Sequence, residues 1–221
     1  LRLIGSSAPT SLMEYSPKWS PDSKQIAFFA TEHEGSTGNI WIMNADGTDK
    51  RQLTKEEFRL LNQASWSPDG NYIVAKKHFT TQRSLGTGEI WLYHVSGGGG
   101  VKLVARASET LQKELGEPVY APDGSAVYYS RNVTPGPIFE YAQDSTQGTF
   151  AIERYDLATG EVTTAVSGYG GAVRPQPSPD GKRLAFIRRD KDQTELWIKD
   201  LASGEQRMIY GDLDMDMQET W

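Results

Sequence analysis

Apolar residues in this chain fall into short dense runs with no helical spacing. Ile26-Ala27-Phe28-Phe29, Ile40-Trp41-Ile42-Met43, Tyr72-Ile73-Val74-Ala75, Ile90-Trp91-Leu92-Tyr93, Leu184-Ala185-Phe186-Ile187 and Leu196-Trp197-Ile198 are each short and flanked by polar stretches. Runs of that length, rich in β-branched and aromatic residues, predict strands. They are apolar at consecutive positions, so both faces of the predicted sheets are covered. Between them a Ser/Ala-Pro-Asp-Gly/Ser turn recurs four times, beginning at Ser20, Ser67, Ala121 and Ser178. Proline presets φ at the second turn position, while Ser and Asp side chains satisfy backbone donors.

Each turn sits in the same succession of elements. In the first unit, Lys18-Trp19 leads into Ser20 to Ser23, then Lys24 to Phe29, a polar loop, Asn39 to Met43, a second turn at Asn44 to Thr48, and Arg51 to Thr54. This predicts four strands in a meander. The second unit repeats it with Trp66, the turn Ser67 to Gly70, Tyr72 to Ala75, Glu89 to Tyr93 and Val101 to Val104. The fourth gives Ser178 to Gly181, Leu184 to Ile187, Glu195 to Ile198 and Gln206 to Tyr210. The third departs most: Glu153 stands where the other units have Trp, and Tyr120 precedes its turn, as Pro177 does in the fourth. Turn-to-turn intervals of about 47, 54 and 57 residues suit one four-stranded propeller blade per repeat.

The predicted fold is therefore all-β, a β-propeller of four-stranded antiparallel blades with about four complete blades. The units run over 12–54, 62–104, 116–166 and 172–210 within one propeller region spanning 1–221. Leu1 to Ile4 matches the outermost strand of a preceding blade, and Met217 to Trp221 the innermost strand of a following one. That pattern predicts a part of a larger propeller, or two copies associating through exposed blade faces. Trp41, Trp91 and Trp197 share one repeat position, which predicts packing between blades.

Composition narrows the class. Ten Tyr, seven Phe and six Trp in 221 residues oppose disorder. No apolar run approaches the roughly 20 residues of a membrane helix, and a formal charge of -6 disfavours nucleic acid as a partner. The chain has no cysteine, hence no disulfide or thiolate metal site.

Catalytic chemistry leaves no motif. There is no Gly-x-Ser-x-Gly elbow, the three histidines His33, His78 and His94 lack zinc-site spacing, and the run Gly97 to Gly100 has no Lys-Ser/Thr of a phosphate loop. Asn44, Asp46 and Asp49 surround a glycine, and Asp212, Asp214 and Asp216 alternate. Neither group has the spacing of a calcium loop, so a hairpin and a solvated loop are expected. No catalytic residue, cofactor or metal is predicted.

Trp66-Ser67-Pro68-Asp69-Gly70 and Ile40-Trp41-Ile42-Met43-Asn44-Ala45-Asp46-Gly47-Thr48, followed by Arg51-Gln52-Leu53-Thr54, closely resemble the TolB-like propeller repeat. The resemblance covers nearly the whole chain. It implies a non-catalytic module that binds a protein or gates access to a fused domain. The alternative it implies is the amino-terminal regulatory propeller of a larger metal-dependent amidohydrolase or serine peptidase, with the active site outside this chain. The third unit, with Pro135 to Tyr141, resembles the propeller fused to amidohydrolases. A periplasmic or secreted location follows from the resemblance alone.

Topology then selects a face. In a four-stranded meander the first and third turns lie at one end, and the second-to-third loops at the other. The Pro-Asp-Gly turns and Asn-Ala-Asp-Gly hairpins are short, which predicts a plain face. Thr31 to Gly38, Lys76 to Gly88, Arg131 to Gly148 and Arg189 to Thr194 are long, polar and unequal, and such loops on a rigid scaffold hold function. Phe79, Arg83, Arg131, Phe139 and Tyr141 are the expected partner-binding residues, because aromatics and Arg dominate interface energetics.

Overall fold

The computed structural model describes residues 13–31, 38–56, 59–79, 88–107, 114–133, 150–190 and 193–213. Regular structure among them is all β. The first blade comprises β1 (Met13–Trp19), β2 (Gln25–Thr31), β3 (Gly38–Asn44) and β4 (Arg51–Gln52). The second comprises β5 (Arg59–Trp66), β6 (Tyr72–Phe79), β7 (Gly88–His94) and β8 (Val101–Val104). The third has β9 (Leu115–Tyr120), β10 (Ala126–Asn132), β11 (Phe150–Asp156) and β12 (Val162–Val166), and the fourth β13 (Val173–Pro177), β14 (Arg183–Asp190), β15 (Gln193–Asp200) and β16 (Gln206–Tyr210). Within each blade, consecutive strands pair antiparallel. One parallel pair, Gly38 with Leu60, links the first two blades.

The chain divides into two compact units, 1–113 and 114–221, each holding two blades. In the first, Ala27, Phe29, Ile40 and Ile42 pack with Leu61, Trp66, Ile73 and Tyr93. Ile26, Phe28, Ala30 and Met43 form a second cluster on the other side of blade one. This explains the unbroken apolar run in β2, which buries both its faces. The core of the second unit joins Tyr128 and Ile152 to Leu184 and Phe186. Each fully buried Phe or Ile contributes about 2–3 kcal/mol from surface removed from water. Trp66 also donates its indole N–H to the Lys18 carbonyl at 3.0 Å, tying blade two to blade one.

The four Pro-Asp turns are built alike. Ser20, Ser67 and Ser178 donate to Asp22, Asp69 and Asp180 at 2.7, 2.5 and 2.6 Å. The same hydroxyls accept the Gln25, Tyr72 and Arg183 amides at 2.9, 2.9 and 3.0 Å. Ala121 has no hydroxyl, and Ser125 supplies the bond to Asp123 instead at 2.8 Å. Gly70, Gly124 and Gly181 close three turns at φ of 73 to 74° and 68°, where a side chain would be strained. Ser23 adopts φ 59° in the first.

The second-to-third loops are shorter than the polar sequence suggests. Lys76, Lys77, His78 and Phe79 continue β6, and Arg131 and Asn132 continue β10. Lys76, Lys77 and His78 are buried there. Polarity misleads because these side chains find partners inside the blade, so the strand continues through them.

Each first strand also carries one residue in the left-handed region: Ser16 (φ 53°), Gln63 (53°), Glu117 (50°) and Arg174 (54°). They occupy one repeat position, beside a register shift in the pairing of each first strand. The bulge turns the strand locally and re-aims the side chain. In the second unit, the Glu117 carboxylate accepts from the Arg174 amide at 3.0 Å and from the Ser130 hydroxyl at 2.5 Å.

Candidate functional site

Toward the loop-bearing ends, the second strands of three blades carry a cation at one repeat position: Lys77, Arg131 and Arg188. Lys77 Nζ lies 4.0 Å from the Trp91 ring centroid and Arg188 Cζ lies 4.5 Å from that of Trp197. Both rings are held from their edges, since Trp91 and Trp197 donate to Glu89 and Glu195 at 2.9 and 2.7 Å. Cation over ring and carboxylate at the indole N–H complement the ring's quadrupole and polar handle. In blade one the corresponding residue is Ala30, and Lys50 reaches over Trp41 and Phe28 at 5.5 and 5.4 Å.

Two of the three cations are ion-paired as well. Lys77 meets Glu56 at 2.8 Å, and Glu56 accepts a second bond from the Tyr93 hydroxyl at 3.3 Å. Arg131 bonds Glu153 at 2.7 Å and Glu114 at 3.0 Å, and stacks 5.8 Å above Tyr129. Tyr129 donates to the same Glu153 oxygen at 2.6 Å. Glu153 thus replaces the tryptophan by meeting the cation directly. Arg188 donates to Gln206 at 3.0 Å and to the Gly171 carbonyl at 3.3 Å. Gly170 lies against it so closely that a Cβ would meet Arg188 Cγ at 2.5 Å and the Arg189 carbonyl at 2.6 Å.

This framework is chemically quiet. Burial first, then the neighbouring carboxylates, push the Tyr93 and Tyr129 hydroxyls far above the ordinary phenol range, so both remain neutral donors. His78 is buried on β6. His94 is exposed, its Nδ1 2.6 Å from the Ser96 hydroxyl, and His33 falls outside the described residues. Among the described residues no three metal-capable side chains converge. Asp46 is taken by the Thr48 amide and hydroxyl at 2.9 and 2.7 Å, as a hairpin requires. Asp214 and Asp216 lie outside the described residues.

Of the five expected partner-binding residues, Arg131 is described in full and stands on β10 inside its ion-pair network. Phe79 ends β6, and its side chain is outside the described set, as are Arg83, Phe139 and Tyr141. The proposed partial blades at 1–4 and 217–221 lie outside it too. Reading the sequence unit by unit overlooked the shared position of Lys77, Arg131 and Arg188. The signal was their common distance after each turn proline.

No family model matches the chain. It is 29% identical over 144 residues to the uncharacterized peptidase YuxL of Bacillus subtilis, covering 53% of this chain and 22% of that one. It is 38% identical over 60 residues to the Tol-Pal system protein TolB of Alcanivorax borkumensis, covering 27% of this chain and 13% of that one. The crystal structure of TolB from Acinetobacter baumannii superposes with a TM-score of 0.67 at 23% identity, covering 89% of this chain and 43% of that one. The chain therefore spans less than a quarter of the length of these two relatives. Its fold is a β-propeller of four-stranded antiparallel blades. The propeller is TolB-like.

Proposed function

We propose that this chain is a propeller module that offers its loop-bearing face to a protein partner or to a fused hydrolase domain. The observation carrying this reading is the paired framework at the loop ends, where Lys77, Arg131 and Arg188 fix the strands from which the three later loops depart. A rigid strand end lets a variable loop present side chains without adding ordering cost on binding. Phe79, Arg83, Phe139 and Tyr141 are the contacting residues in this reading, with Arg131 holding the base of its loop.

The peptidase relative favours the fused-domain form, in which the propeller guards an active site on another part of a longer polypeptide. The Tol-Pal relative favours a separate protein partner and a periplasmic location. In both, this polypeptide has no hydrolytic activity of its own.

Site-specific photo-crosslinking in the full natural protein tests the proposal. A photoreactive residue at position 83, 139 or 141 should give adducts with the partner or the appended domain, and one at position 22 or 46 should not. Adducts from 22 or 46 alone would overturn it.

A further inference from the structure

Where four repeats share a plan, the departures from it mark what the plan does not require. Three departures meet at the boundary of blades three and four. Pro177 replaces the tryptophan that in blade two is Trp66. Tyr128 stands where the other blades have Ala27, Val74 and Ala185. Arg154, paired across the strands with Tyr128, stands where Ile42, Leu92 and Ile198 are found.

In the first unit, Trp66 and the small Ala27 fill the corresponding boundary together. In the second, Tyr128 is buried in the core, but its bulk does not replace the indole. A cleft of about 340 Å³ remains, walled by Pro122, Pro177, Pro179 and Tyr128, with Arg154, Asp123 and Asp180 at its polar rim. It opens on the turn face, which the short turns had suggested was plain.

The two aspartates there differ from their counterparts. Asp69 uses Oδ2 for the Asn71 side chain at 2.9 Å, and Asp22 turns Oδ2 toward Lys24 at 3.8 Å. At Asp123 and Asp180, the hydrogen bonds that build the turns all fall on Oδ1. Oδ2 of each stays outside the turn's own bonding. Arg154 is itself engaged, with Asp156 at 3.1 Å and the Ser125 hydroxyl at 3.2 Å. Asp156 offsets its charge, while the same guanidinium also acts on Asp123, as Lys182 and Arg183 act on Asp180. The rim still presents two carboxylate oxygens beside the walls of Pro122, Pro177, Pro179 and Tyr128.

We propose that this cleft is a binding site for one basic side chain of a polypeptide, its alkyl stem against the prolines and Tyr128 and its charged head at Asp123 and Asp180. The volume suits one long side chain, and a stem on apolar walls with a charge at the rim is how Lys and Arg ordinarily bury. A carboxylate-bearing ligand would face both aspartates.

Titration of the isotope-labelled protein with Nα-acetyl-arginine methylamide tests this. Saturable amide shifts are expected at Ser125, Asp180 and Gly181, and not at Gly70 in the corresponding turn of the first unit. Asp123→Asn with Asp180→Asn should weaken binding about tenfold, the effect of losing charge-assisted hydrogen bonds. Pro177→Trp, which restores the indole used at Trp66, should abolish it while thermal stability is kept. Equal shifts from Nα-acetyl-norleucine methylamide, or none from the arginine compound, would overturn the proposal.

Discussion

Trp19 and Trp66 occupy one repeat position and have opposite surroundings. Trp66 is 7% exposed and hydrogen-bonded to Lys18, whereas Trp19 is 59% exposed. Removing a buried indole loses its transfer energy and leaves a cavity, so Trp66→Ala should cost about 3–5 kcal/mol. Trp19→Ala should stay within about 0.5 kcal/mol, as exposed substitutions do. Urea unfolding of the two variants checks the contrast; equal losses would mean that position alone sets the role. Ser16 supplies a second case. Its left-handed φ of 53° is costly for any residue with a Cβ and worst for a branched one. Ser16→Gly should therefore raise the thermal midpoint, and Ser16→Val should lower stability by about 1–2 kcal/mol.

At the scale of the element, the turns and the strand ends make separate demands. The Asp22, Asp69 and Asp180 carboxyls are held below their usual range chiefly by the Ser hydroxyls, and that of Asp123 chiefly by the Ser125 amide. A carboxyl depressed in the folded state stabilises it at pH values above the unfolded pKa, near 3.8. That contribution is lost as pH falls through the folded pKa. Urea midpoints should thus decline steadily below about pH 4, and the combined Asp69→Asn and Asp180→Asn variant should show a flatter decline. The strand ends depend on paired charge instead. Lys77 and Glu56 are mostly buried, with side chains 10% and 17% exposed. Lys77→Ala leaves Glu56 without its counter-ion and should cost about 3 kcal/mol. Lys77→Arg, keeping the cation, should lose far less in the same assay.

At the scale of the molecule, the repeat was legible because turn chemistry is local. Pro-Asp-Gly specifies a turn from adjacent residues, and the Ile-Trp runs announce strands by composition. The lengths of β6 and β10 were not legible, since buried Lys77 and half-buried Arg131 look like loop residues until Glu56, Glu114 and Glu153 are brought near. The cleft was hidden for a related reason: Pro177 was visible as a departure, but its pairing with Tyr128 and Arg154 exists only across a blade boundary. The division into two units has a consequence for unfolding. Each unit has its own core, and Trp19, Trp41, Trp66 and Trp91 lie in the first while Trp197 and Trp221 lie in the second. A variant carrying Trp197→Phe and Trp221→Phe reports on the first unit by fluorescence. One with Trp19, Trp41 and Trp91 changed to Phe, together with Trp221→Phe, keeps Trp66 and Trp197, one in each core. In stacked repeats, stability is a sum of unit and neighbour terms, so the weaker unit opens first. The first variant should then show a urea transition displaced from the one seen by far-ultraviolet circular dichroism on the same sample. Coincident transitions would mean that the two units unfold as one.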